Sequence, residues 1–214
     1  SEEDYIDFVN KVNTYADYRS KSIKIMKDLD FDGRTVRPIG DGDGIIYTGT
    51  IEGNGKTIRN LKIDVSKNTD DKWKRAALVG KAGDGACVRN LTIDETCEFT
   101  ACESVAAIFG QIVGNGQKQI SNVQSYAKVT ITNQNHSADN GVMAAAGLVG
   151  GHWSTSAMVN IEDCYVGGSV ASVPGNYGKT AAVIFWSPFD NCKGTINISN
   201  TVSVVTGTND FAMV

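Results

Sequence analysis

One short phrase returns five times after residue 55, and that recurrence restricts the chain to folds made of stacked copies. It reads IRNLKI from Ile58, VRNLTI from Val88, ISNVQS from Ile120, IEDCYV from Ile161 and ISNTVS from Ile198. The first position is always β-branched. The third is Asn60, Asn90, Asn122, Asp163 and Asn200, and the fourth is Leu61, Leu91, Val123, Cys164 and Thr201. A second phrase precedes each of the last four: ALVGKA from Ala77, AIFGQI from Ala107, GLVGGH from Gly147 and VIFWSP from Val183. Its glycines are Gly80, Gly110 and Gly150, with Trp186 in the glycine position of the fourth copy.

Each unit therefore holds two apolar runs of four to six residues between glycine-rich or polar turns, too short and too β-branched for helices. Strand-only repeats of this length cannot each bury an apolar face, so they must stack. Stacking in register sets Ile58 over Val88 over Ile120 at about 4.8 Å and builds parallel sheets along the sides. The expected fold is all-β, a right-handed parallel β-helix, or β-solenoid, because crossovers between parallel strands are right-handed. Asparagines stacked at strand spacing can pass hydrogen bonds along the axis as a ladder. A leucine-rich repeat would need an L-x-x-L-x-L frame and helical segments, and a propeller about four strands per repeat; neither is present. The 23 glycines against 3 prolines suit many tight turns.

Residues 2–16 differ. Tyr5, Phe8, Val9, Val12 and Ala16 follow helical spacing, Ser1 can cap, and early acids favour the helix N-terminus. The chain reads as one domain, 1–214: a capping α-helix within 1–18 that covers the open end of the stack, then strand rungs over 19–214. Phe211-Ala212-Met213-Val214 begins another ALVG-type phrase, so a segment of a longer protein, or an end covered by a partner, is expected.

A net charge of −4 and a pI near 5.2 offer no basic field for nucleic acid or anionic membrane. No apolar stretch is long enough to insert in a membrane, and Ser1-Glu2-Glu3-Asp4 is not a leader, although one could have been removed. The five cysteines, Cys87, Cys97, Cys102, Cys164 and Cys192, lack metal spacing. Between a Cys97–Cys102 bridge and buried free thiols, free thiols are preferred.

Pro38-Ile39-Gly40, the run Thr48-Gly49-Thr50-Ile51-Glu52-Gly53-Asn54-Gly55-Lys56-Thr57-Ile58-Arg59-Asn60-Leu61, and Ala77-Leu78-Val79-Gly80 resemble the GLUG-motif repeat proteins of bacterial surfaces. The resemblance runs from about Phe8 to the end, including a helix before Asp28-Leu29-Asp30. It implies a secreted or cell-surface protein of the kind found in gut Bacteroidetes and some Gram-positives. Such proteins are described as adhesin-like, and the motif also accompanies some immunoglobulin A peptidases. It assigns no catalytic residues. Trp186 and Asp163 depart from the pattern.

Other β-helices degrade polysaccharides, which needs two acids facing one cleft. Asp70 with Asp71, Glu162 with Asp163, and Asp41 with Asp43 are the near pairs, and none is assigned catalysis. Asp41-Gly42-Asp43-Gly44 lacks the acid that completes a calcium loop and reads as a turn. His136 and His152 have no catalytic context. Gly53-Asn54-Gly55 and Gly114-Asn115-Gly116 read as turns, since no GK[ST] and no helix follow. Asn-x-Ser/Thr triplets at Asn90, Asn135 and Asn197 read as chance. The ligand-binding candidates are loop aromatics and their neighbour: Trp73, His152, Trp153 and Tyr177.

The expected function is a non-enzymatic, adhesin-like module at the bacterial surface. It would bind a glycan or protein through loops that lengthen after Gln124 and Gly151, without cofactor or metal, as a monomer or end-capped oligomer. The alternatives are a polysaccharide-active enzyme and a passive stalk.

Overall fold

The computed structural model describes residues 1–40, 42, 44–67, 75–132, 144–153, 156–173, 179–184, 194–208 and 211–212, with backbone only at 152–153, 179, 208 and 211–212. The described chain is mostly β, in parallel sheets, with one α-helix at the N-terminus. Four sheets follow one another along the chain and repeat, which is a β-helix-like plan. Sheet A stacks Thr50–Arg59, Cys87–Ile93, Gln117–Ser125, Met158–Glu162 and Thr195–Ser199. Sheet B stacks Lys62–Asp64, Glu98–Ala101, Lys128–Ile131, Ser169–Ser172 and Thr206–Thr208. Sheet C stacks Arg75–Ala76, Ser104–Val105, Ala144–Ala146, Lys179–Ala181 and Phe211–Ala212, and sheet D stacks Val79–Ala82, Phe109–Val113 and His152–Trp153.

Along the strands of sheet B, and of sheet A apart from its corners, alternation sends every second side chain inward, whereas Phe109–Val113 and Ala144–Ala146 are buried at almost every position. In Gln117–Ser125 the buried residues are Lys118, Ile120, Val123 and Ser125. The resulting columns form one apolar core from Tyr5 to Ile184.

The register differs from the expected one. Val88 lies between Ile51 and Ile120, and the column continues to Ile161 and Ile198. Ile58 lies instead between Leu29 and Ile93. The cause is the Gly53-Asn54-Gly55 turn, where the register slips between Glu52 and Lys56. Backbone packs tightly there: a Cβ on Gly53 would stand 2.3 Å from the Asn90 carbonyl oxygen. The true counterpart of Val88-Arg89-Asn90 is therefore Ile51-Glu52-Gly53, and Asn60 belongs to the next corner, where it donates to Asp30 Oδ1 (2.8 Å).

The remaining ladder is real but interrupted. Asn122 Nδ2 donates to Asn90 Oδ1 (2.8 Å), Asn90 Nδ2 to Glu52 Oε1 (3.0 Å), and Asn200 Nδ2 to Asp163 Oδ1 (3.2 Å). Asp163 has no amide donor to extend the chain to Asn122.

The second phrase also forms a column, beginning with Ile39-Gly40: Ile39 bridges Val79, which pairs Phe109, which bridges Val149 and then Ile184. A Cβ on Gly80 would lie 3.0 Å from the Gly40 carbonyl oxygen. On Gly110 it would lie 2.9 Å from that of Gly80, and on Gly150 2.9 Å from that of Gly110. Glycine lets the backbones close at this point. Val149 bridges Ile184, and Trp186, at the glycine position of the fourth copy by sequence, lies outside the described residues.

The helix spans Glu2–Thr14, followed by a 3₁₀ turn at Ala16–Tyr18. Ser1 and Asp4 form the reciprocal cap. Tyr5, Val9 and Val12 are buried; Tyr5 meets Phe31 edge to face, and Phe8 meets Tyr47 likewise. Asn13 fixes the helix to the first glycine turn, donating to the Pro38 carbonyl and accepting from Gly40 N–H, both at 2.9 Å.

Candidate functional site

Trp73 and Tyr177 lie outside the described residues, as do His136, Asp41, Asp43, Asp70 and Asp71. The backbone of His152 and Trp153 pairs in sheet D with Ile112 and Val113. What can be placed is where these segments start and end. The connections from sheet B to sheet C are 65–74, 102–103, 132–143 and 173–178, so their lengths vary widely. Their ends are in register: Asp64 pairs Thr100, Ile131 pairs Ala101 and Ser172, and Ala144 pairs Ser104 and Lys179. The segments that contain Trp73 and Tyr177 therefore leave the same edge of the stack, three rungs of sheet B apart along its axis. Arg75 and Glu103, an ion pair at 2.8 Å and mostly buried, tie the first two connections at their base. The chain after Gln124 is a short corner into Lys128–Ile131, so the lengthening expected there falls at 132–143 instead.

A second aromatic feature was not singled out from sequence. Tyr126 and Tyr165 pack with ring centroids 5.2 Å apart, tilted by 40°, at the corner between sheets A and B. Tyr165 belongs to the outward column Thr57, Thr92, Gln124, Tyr165, Val202, and Tyr126 Oη donates to Gln124 Oε1 (3.3 Å). Gly167 lets the rings lie against the backbone, since a Cβ there would come within 3.0 Å of Tyr165 Cε1. Val202 and Val204 stand exposed above the pair. Alternation from Ile161 would have marked Tyr165 as outward had the corner at Asp163 been counted. Half-buried tyrosines beside amides and exposed aliphatic groups can stack on the apolar face of a sugar or seat a protein side chain.

The most unusual charged group is structural. Lys118 lies in an inward column, flanked by Cys87's neighbour Ala86 and by Val159, and its side chain is fully buried. Its ammonium donates to Asp84 Oδ1 (2.8 Å) and to the Gly114 and Gly116 carbonyls (both 2.9 Å), which uses all three donors. The Lys118 hydrogen bond holds the Asp84 carboxyl below its ordinary range, helped by Gly116 N–H and opposed by partial burial. At Glu52, partial burial opposes ionisation, but Asn90, the Asn54 N–H and Arg89 together prevail and lower its pKa.

Cys87, Cys97, Cys102 and Cys164 are buried free thiols, so Cys97 and Cys102 are not bridged. Burial pushes Cys97 up to about 11 and also raises Cys87 and Cys164, the opposite of an activated nucleophile. Among the described residues no group of three or more His, Cys, Asp or Glu side chains could hold a metal ion, and no helix is long and apolar enough to cross a membrane.

The fold and surface thus define a β-rich protein of stacked parallel sheets whose connections vary along one edge. Halomucin of Haloquadratum walsbyi (strain DSM 16790 / HBSQ001) is 35% identical over 97 residues, which are 45% of this chain and 1% of that protein. No family model and no solved structure matches the chain.

Proposed function

We propose that the chain is a right-handed β-solenoid module of a secreted or cell-surface, adhesin-like protein of the GLUG-motif kind, binding a glycan or protein through one edge of the stack. The observation behind this reading is the confinement of variable connections to the corner between sheets B and C, while the corner between sheets A and B stays short. A regular scaffold that varies at one edge is the usual way a repeat protein presents a binding surface. The right hand follows from the chirality of parallel crossovers. Trp73 and Tyr177 are the proposed contacts on that edge, and His152 with Trp153 are proposed contacts from sheet D. The partial likeness to a far longer protein fits a module that recurs within larger chains.

The test is a glycan array probed with the 214-residue chain, its Trp73→Ala/Tyr177→Ala double variant and a Tyr165→Ala variant. Saturable binding lost in the double variant and kept in Tyr165→Ala supports the edge. Binding lost only in Tyr165→Ala moves the site to the tyrosine pair, and no binding to any glycan or matrix protein leaves a passive stalk.

A further inference from the structure

Two turns of the chain carry the same letters, Gly53-Asn54-Gly55 and Gly114-Asn115-Gly116, and the fold treats them oppositely. At the second, the Gly116 N–H donates to Asp84 Oδ1 (2.8 Å), and the Gly114 and Gly116 carbonyls accept from the Lys118 ammonium (both 2.9 Å). A Cβ on Gly116 would stand 2.8 Å from Asp84 Cγ, so that turn is held and crowded. At the first, Asn54 and Gly55 are both exposed, and a Cβ on Gly55 would meet nothing within 4 Å. The Asn54 backbone N–H donates to Glu52 Oε1 (2.8 Å), but its side-chain amide makes no hydrogen bond among the described residues. At the other left-handed asparagines, Asn60, Asn90, Asn122 and Asn200, that amide donates to a neighbouring rung. Each of those is also followed by a branched residue, Leu61, Leu91, Val123 or Thr201, where Asn54 is followed by glycine.

We propose that Asn54 is a site of spontaneous covalent modification, in which water replaces its amide by a carboxylate through a cyclic imide with Gly55, and that the change loosens the register of the first rungs. Base removes the Gly55 N–H proton, and the nitrogen attacks Asn54 Cγ. The N–Cγ bond forms, the Cγ–Nδ2 bond breaks, and Nδ2 takes a proton and leaves as ammonia. Water then opens the imide at either carbonyl. Opening at Cγ leaves aspartate; opening at the main-chain carbonyl leaves isoaspartate, whose backbone runs through Cβ and Cγ. No atom is oxidised or reduced. At Asn115 the same step would break the Gly116 bond to Asp84 and set a nitrogen anion against a carboxylate. Either product at 54 places a new negative charge beside Glu52, the acceptor for Asn90 in the ladder. Isoaspartate also lengthens the backbone by a methylene where the register slips between Glu52 and Lys56.

The folded 214-residue chain is aged at about 37 °C and about pH 8 and digested in mild acid, and each Asn-Gly peptide is followed by mass spectrometry for a gain of about 1 Da. The peptide of Asn140-Gly141, outside the described residues, is resolved separately. Conversion at Asn54 should outrun that at Asn115 by about tenfold or more, and the contrast should vanish in urea, where the shared Gly-Asn-Gly context sets both rates. Aged wild type should unfold at lower urea than the fresh chain. Asn54→Gly, which keeps the left-handed turn and has no amide to lose, should age without that shift. Equal conversion at Asn54 and Asn115 in the folded chain, a contrast that persists in urea, or the same loss of midpoint in aged Asn54→Gly would each overturn the proposal.

Discussion

Every non-glycine residue with positive φ among those described is an asparagine or aspartate: Asp32, Asn54, Asn60, Asn90, Asn122, Asp163 and Asn200, with φ between 47° and 55°. The left-handed region costs an ordinary L-residue roughly 1–2 kcal/mol, and short amide or carboxylate side chains tolerate it best. At the ladder corner the same residue both turns the chain and bonds the rung beside it. Asn122→Ala should therefore lose the turn preference and the bond to Asn90, about 2 kcal/mol together. Asn122→Gly should lose less, because glycine keeps the turn. Asp163→Asn should supply the missing donor toward Asn122 and raise stability by up to about 1 kcal/mol. Urea midpoints of the three variants check both signs, and a destabilised Asp163→Asn would show that the carboxylate has another role.

The glycine phrase acts at the level of strands and corners. Gly40, Gly80, Gly110 and Gly150 succeed one another at contact distance, so a methyl at Gly110 must displace either the Gly80 carbonyl at 2.9 Å or the Arg75 Cβ at 3.3 Å. Both are backbone or near it and move only with their strands. Gly110→Ala should cost about 1–3 kcal/mol, read as a lower denaturation midpoint with unchanged slope. A neutral effect would mean the rungs separate more easily than the packing implies. The Lys118 cage works similarly, joining Asp84 of one connection to Gly114 and Gly116 of the next. A buried ammonium is tolerated here because every donor is met.

For the whole molecule the charges set a direction of pH sensitivity. Glu2, Asp30, Glu52 and Asp84 all have pKa values lowered in the folded state by hydrogen bonds and neighbouring cations. A depressed folded pKa means stability that is present above the unfolded value, roughly pH 4 for these acids, and lost as pH falls through the folded value. Stability measured by thermal melts should hold from neutrality to about pH 5 and decline below about pH 4. Asp84→Asn should lessen the acid-side decline while lowering stability at pH 7, since the amide is a weaker partner for the Lys118 ammonium. An identical acid profile for wild type and Asp84→Asn would remove this pair from the account.

Much of the architecture was readable from local chemistry. The two recurring phrases implied stacked parallel strands, the spacing of Tyr5, Val9 and Val12 implied the helix, and Ser1 implied its cap, because each depends on neighbours within a few residues; the reciprocal bond from Asp4 came only with the structure. Loop aromatics were recognisable as candidates, but how Trp73 and Tyr177 relate depended on where their connections begin. The tertiary structure alone decided the register. IRNLKI and VRNLTI look alike letter by letter, yet Asn60 and Asn90 turn different corners, since the Gly53–Gly55 bulge absorbs two residues that no local pattern counts. Rung alignment is set by the summed length of turns and by whole apolar columns closing on one another, and that energy exists only once the neighbouring rung is in place.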